Sequence, residues 1–109
     1  MPQGTECLRA LNDRFRKTLH GGHVFMTPGI AGLGEEAVSR LLQTLTTFDD
    51  FYEANDSWQE HDFGAFEFDQ RQVFFKIDYY DRSLTTHSPD PTDPAVTQRV
   101  ITIMLAEEY

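Results

Sequence analysis

The sequence predicts an α+β domain, with two or three helices packed on a small, mostly antiparallel sheet that contains a β-hairpin over residues 62–80. Three observations carry this expectation. Apolar residues recur at three- and four-residue spacing over residues 5–19 and again from Glu35 to about Phe48, the stripe of an amphipathic helix. They alternate with polar residues from Asp62 to Phe68 and from Gln72 to Tyr80, the period of half-buried strands. Glycine, proline and aspartate collect between these segments, where turns belong. With 109 residues, 39% of them apolar and nine of them phenylalanine, the chain suits a single domain, residues 1–109, around one core.

The first helix carries Leu8, Leu11, Phe15 and Leu19 on one face, with Thr5 a suitable N-cap and "HGG" (20–22) to stop it. "HVFMT" (23–27) is short, β-prone and closed by Pro28, so it reads as a strand. "PGIAGLG" reads as a loop. The second helix begins at Glu35 and Glu36, whose charges suit the positive end of the helix dipole, and buries Val38, Leu41, Leu42, Leu45 and Phe48. "FDDFYEANDSWQE" fits a turn or short strand followed by a loop.

In the hairpin, Val73, Phe75, Ile77 and Tyr79 point one way, and Phe74, Lys76, Asp78 and Tyr80 the other. A turn at Gln70-Arg71 sets Phe66 opposite Phe75, Phe68 opposite Val73 and Lys76 diagonal to Glu67. Beyond the "SPDPTDP" loop, Asp93 and Pro94 suit the start of a helix with Val96, Val100, Ile103 and Met104 as its buried stripe. The β-branched "RVITIML" makes a strand the rival reading there.

Charge narrows the function. Eighteen acidic residues against nine basic give a formal net charge of -9, which disfavours direct binding to a phosphate backbone. Asp49, Asp50, Glu53, Asp56, Glu60, Asp62, Glu67 and Asp69 follow one another with no lysine or arginine among them. No apolar run is long enough to span a bilayer and the N-terminus lacks a secretory h-region, so a cytoplasmic protein without membrane contact is expected. Cys7 is the single cysteine, which excludes an internal disulfide; it is expected to be a buried or semi-buried structural thiol. "PGIAGLGEE" resembles a phosphate loop only superficially, since it has no lysine and places two glutamates where a phosphate would sit.

Two readings of the acidic stretch compete with a structural one. In the first, the eight carboxylates form an acidic face steered to the basic, nucleic-acid-binding surface of a host protein, with Phe63 or Tyr80 as apolar anchors and no cofactor. In the second, His61 with Asp56, Asp62 and Asp78 holds a metal in a small hydrolase or nuclease. Strand alternation splits His61 and Asp62 between faces, which counts against the second. In the structural reading His61 fixes a loop by hydrogen bonds and Gly64 permits close packing. Phe63, Phe74 and Tyr80 suit either a packed layer or a partner patch.

Several segments carry a resemblance: "LNDRFRKT" at 11–18, "TPGI" at 27–30, "EANDSWQEHDFGAFEF" at 53–68, "FFKIDYYD" at 74–81 and "DPAVTQRVITIMLAEEY" at 93–109. The chain resembles the bacterial domain-of-unknown-function family 3768 over nearly its whole length, departing locally at Ser57 and Trp58. The family has no established activity. Its members look like short stand-alone proteins associated with plasmids and phages. The resemblance therefore implies a host-interaction role, such as a counter-defence inhibitor of anti-CRISPR or anti-restriction type.

Overall fold

The apolar periods fold into the expected architecture, with helices laid on one face of a sheet. The computed structural model describes every residue except Met1, Glu53, Asn55 and Ser57. Helix α1 (Pro2–Thr18) leads to strand β1 (Gly22–Met26), a one-turn helix α2 (Pro28–Ala31) and helix α3 (Glu35–Thr46). An irregular segment then reaches the hairpin β2 (Phe63–Phe68) and β3 (Arg71–Tyr80), and the chain closes with β4 (Gln98–Leu105). The sheet order is β1-β4-β3-β2; β4 runs antiparallel to β3 and parallel to β1. No helix among the described residues is long and apolar enough to cross a membrane.

One face of the sheet is the core. Val73, Phe75 and Ile77 of β3 and Ile101, Ile103 and Leu105 of β4 are buried there with Phe68 of β2. The helices supply Phe15, Ile30, Leu41 and Leu45, and Phe48 follows α3. Burial of each such side chain contributes roughly 1.5–3 kcal/mol, which makes this layer the main source of stability. The opposite face carries Phe63, Phe74, Lys76, Asp78, Tyr80, Val100 and Met104, by register. There Phe63 and Phe74 pack on each other at 5.3 Å and on Tyr109 at 6.0 and 5.6 Å, so these rings form a small cluster of their own.

Several expectations change. Helix α1 begins at Pro2, so Thr5 lies within it rather than capping it. The hairpin turn is Asp69-Gln70, with φ of 49° and 65°, not Gln70-Arg71. Phe66 therefore faces Val73, and Gly64 faces Phe75. Both residues sit at the left-handed angles that a two-residue hairpin requires, without the usual glycine. The slip is two residues, so every side chain keeps its face. Lys76 meets Asp78 on its own strand at 3.5 Å rather than Glu67 across the hairpin.

The C-terminal segment is a strand, not a helix. Asp93 Oδ1 does accept from the Ala95 amide at 2.9 Å, yet the turn it caps ends at Val96. From Gln98 the chain becomes β4, where Ile103 joins the core while Val100 and Met104 are buried on the other face. A strand buried on both faces loses its alternation, which is why its apolar residues also fit a helical stripe.

"PGIA", read as a loop, forms α2 with Ile30 fully buried. Thr27 makes no side-chain cap, and the Glu108 carboxylate takes that place. It accepts from the Gly29 amide (2.9 Å), the Thr27 hydroxyl (2.6 Å) and the Leu105 amide (2.9 Å), tying the C-terminus to the start of α2. Cys7 is exposed rather than buried, with its thiol 3.7 Å from the Thr92 carbonyl.

Candidate functional site

The segment between α3 and β2 holds most of the candidate residues, and α1 binds both of its ends. Polar side chains on α1 fall among the apolar positions: Asn12 lies four residues after Leu8, and Arg16 three before Leu19. Both point inward and are buried. Arg9 Nη1 donates to the Gln59 carbonyl, Asn12 Nδ2 to the Glu60 carbonyl and Arg16 Nη2 to the Phe48 carbonyl, each at 3.0 Å. Three helix side chains thus satisfy loop carbonyls that strand pairing cannot reach.

His61 is the centre of this clasp. Its φ of 58° turns it off the line of β2, towards α1. Nδ1 lies 2.8 Å from Asp13 Oδ1, and Nε2 lies 3.4 Å from Asp56 Oδ2. Its amide also donates to Asp56 Oδ1 at 2.9 Å. The ring lies flat on Phe51, with centroids 3.8 Å apart and planes within 3°. The Arg16 guanidinium is 2.8 Å from Asp13 Oδ1 and 4.9 Å from the Phe51 ring centroid. Burial pushes the Asp13 carboxyl up, but the hydrogen bonds and charges of Arg16 and His61 outweigh it and hold the carboxyl below its ordinary value.

A second chain of hydrogen bonds runs beside it. Arg99 Nε donates to Asn12 Oδ1 (2.9 Å), Asn12 Nδ2 to the Tyr79 hydroxyl (2.8 Å), and that hydroxyl to Glu60 Oε1 (3.0 Å). Burial raises the Tyr79 phenol far above its ordinary range, and the Asp62 and Glu60 charges raise it further. Tyr79 is therefore a fixed donor and no base. Burial also raises the Asp62 carboxyl, reinforced by the charges of Glu60, Asp56 and Asp78.

The eight candidate carboxylates do not form one exposed row. Asp49 and Asp50 are exposed, as are Glu67 and Asp69 on the hairpin, where Asp69 meets Arg40 at 3.2 Å. Asp56 is buried against His61, while Glu60 and Asp62 are half-buried. Glu53 lies outside the described residues. The anchors Phe63 and Tyr80 are half-buried on the open face of the sheet. The exposed aromatic side chains of the segment are instead Trp58, 79% accessible, and Tyr52, 53% accessible.

The alternative ligand set is not brought together. Each nitrogen of His61 faces a carboxylate, and Asp78 lies on the other face of the sheet from Ile77 and Tyr79, beside Lys76. Among the described residues, no group of three or more histidine, cysteine, aspartate or glutamate side chains is placed to hold a metal ion. Asn12, Asp13 and Arg16 were the residues missed in the sequence. Their signal was available: polar side chains at helical spacing within an apolar stripe.

Gly64 and Asp81 have the same kind of structural role. Gly64 has no room for a side chain, since a Cβ would stand 2.6 Å from Phe75 Cζ and 2.7 Å from Phe48 Cε1. Asp81 gathers the amides of Thr85 and Thr86 and the hydroxyls of Ser83 and Thr86, which folds the chain back after β3.

The family model described as "Protein of unknown function (DUF3768)" matches residues 26–108, and the chain belongs to that family. The match leaves out α1, which supplies the polar side chains that clasp the loop. No curated protein matches the chain. No solved structure matches it either.

Proposed function

We propose that this family member is a non-enzymatic binding protein whose acidic segment between α3 and β2 docks on a basic surface of a partner protein. The observation that supports this reading is Trp58, 79% accessible next to Gln59 and Glu60, whose carbonyls Arg9 and Asn12 of α1 hold. Large exposed aromatic side chains are the usual anchors of protein interfaces. Anchoring the chain beside Trp58 before binding lowers the ordering cost of association. Tyr52, Asp49 and Asp50 are exposed in the same segment, and a net charge of -9 steers the molecule towards cationic surfaces.

In its specific form the partner is a nucleic-acid-binding host protein, and the loop occupies the surface on which that protein would hold nucleic acid. That is inhibition of anti-CRISPR or anti-restriction type. The test is a pull-down from bacterial lysate at low and moderate salt, with mass spectrometry, using the native protein, Trp58→Ala and an Asp49→Lys/Asp50→Lys double variant. The reading expects a stoichiometric partner that salt weakens, that nucleic acid displaces and that both variants lose while keeping their circular dichroism. A partner retained equally by all three proteins would sink it.

A further inference from the structure

The basic residues of this acidic molecule are unevenly used. Arg16, Arg40 and Lys76 each sit beside a carboxylate. Arg14, Arg82 and Arg99 instead line one open cleft of about 610 Å³, bordered by the end of α1, the start of β4 and the segment after β3. Among the described residues, no aspartate or glutamate lies on its walls. Leu11, Phe15 and Pro94 supply an apolar side to the same space.

Arg99 makes the cleft unusual. It is only 4% accessible, and its guanidinium is held by neutral acceptors, Nε by Asn12 Oδ1 at 2.9 Å and Nη2 by the Pro91 carbonyl at 2.5 Å. Tyr79 lies under it, with the guanidinium carbon 5.3 Å from the ring centroid. Its Nη1 makes no hydrogen bond among the described residues. Burial pulls the guanidinium's proton affinity down, the mark of a cation moved out of water without a counter-anion. The guanidinium groups of Arg14 and Arg82 likewise have no hydrogen-bond or ion-pair partner among the described residues. A buried cation with fixed geometry and two further cations on the walls of the same cleft supply the donors an anion needs, and arginine forks match phosphate oxygens in particular.

We propose that this cleft binds a small phosphomonoester with an apolar or aromatic body. Arg14, Arg82 and Arg99 take the phosphoryl oxygens, and Leu11, Phe15 and Pro94 cover the body of the ligand. The size lies within the range of small-molecule sites. The net charge of -9 repels a polyanion such as duplex nucleic acid, whereas a small ligand inside the cleft feels the local arginines. The end of α1 borders the cleft with the negative pole of its dipole, which opposes an anion more weakly than three guanidinium groups attract it. The cleft shares no residue with the acidic loop, so this inference stands apart from the function proposed above.

Isothermal titration of the full chain with phenyl phosphate, inorganic phosphate and phenol tests it. The experiment belongs near physiological salt, where charges more than about 8 Å from the ligand are screened and the local arginines decide. The expected result is submillimolar binding of phenyl phosphate, weaker binding of inorganic phosphate and none of phenol. The Arg14→Ala/Arg82→Ala variant, which alters exposed side chains only, should keep its melting curve and lose at least about tenfold in affinity, roughly 1.4 kcal/mol. Failure of phenyl phosphate to bind, or undiminished affinity in the double variant, would overturn the site. Phenol binding as tightly as phenyl phosphate would overturn the anion receptor, and equal affinity for phosphate and phenyl phosphate would overturn the apolar half.

Discussion

At His61 the chain places a carboxylate beside each ring nitrogen and an aromatic ring beneath, and each partner comes from a different stretch of sequence. The chemistry of the arrangement is cohesive: Asp13 answers both His61 and the buried Arg16, whose Nε has no hydrogen-bond partner among the described residues. Asp13→Asn should therefore destabilise the fold by roughly 3 kcal/mol, the usual cost of leaving a buried charge uncompensated, as read by urea denaturation. Because the Asp13 carboxyl is held low in the folded state, its contribution is present above pH 3.8 and is lost as pH falls through the lowered value. The deficit of the variant should close on acidification.

Asp62 has the opposite sign. Its carboxyl is raised by burial and by neighbouring carboxylates, so its ionisation takes stability away as pH rises through the raised value. Asp62→Asn should raise the melting temperature near neutral pH by roughly 2 °C or more and lose that advantage in acid. An unchanged or lowered melting temperature at neutral pH would show that the ionised side chain is stabilised after all.

Among the elements, the hairpin is under the clearest local constraint. Asp69 and Gln70 both adopt left-handed angles, which cost a residue with a Cβ about 1 kcal/mol relative to glycine. Gln70→Gly should stabilise the protein by about 0.5–1 kcal/mol, while Asp69 keeps its contact with Arg40. Gly64 marks the other end of the same ladder. Gly64→Ala would drive a methyl group into the rings of Phe75 and Phe48, and the expected loss is about 1–3 kcal/mol in chemical denaturation.

Taken as a whole, the molecule carries its negative charge as a general field and its few cations as specific devices. A net charge of -9 on 109 residues disfavours compaction through self-repulsion. Raising salt from low to physiological concentration should therefore raise the melting temperature, since screening relieves the exposed carboxylates more than it weakens the half-buried Asp13–Arg16 pair. A fall with salt would mean that attractive surface pairs outweigh the net repulsion. In the proposed roles, the same field would steer the acidic segment over long distances and leave the arginine cleft to act over short ones.

The sequence by itself determined the α+β class, the two long helices, the hairpin strands and the inward face of each, because 3.6- and 2-residue periods survive wherever one side meets water. It also held the clue to Asn12 and Arg16, polar residues within an apolar stripe. Only the tertiary structure decided that "QRVITIML" is the strand between β1 and β3, since a segment buried on both faces carries no period of its own. Only the tertiary structure, likewise, brought Asp13 to His61 across 48 positions and withdrew Asp56 from the acidic surface. It also gathered Arg14, Arg82 and Arg99 around one cleft. Contacts between residues so far apart follow from how helices and strands pack, and no local pattern along the chain encodes them.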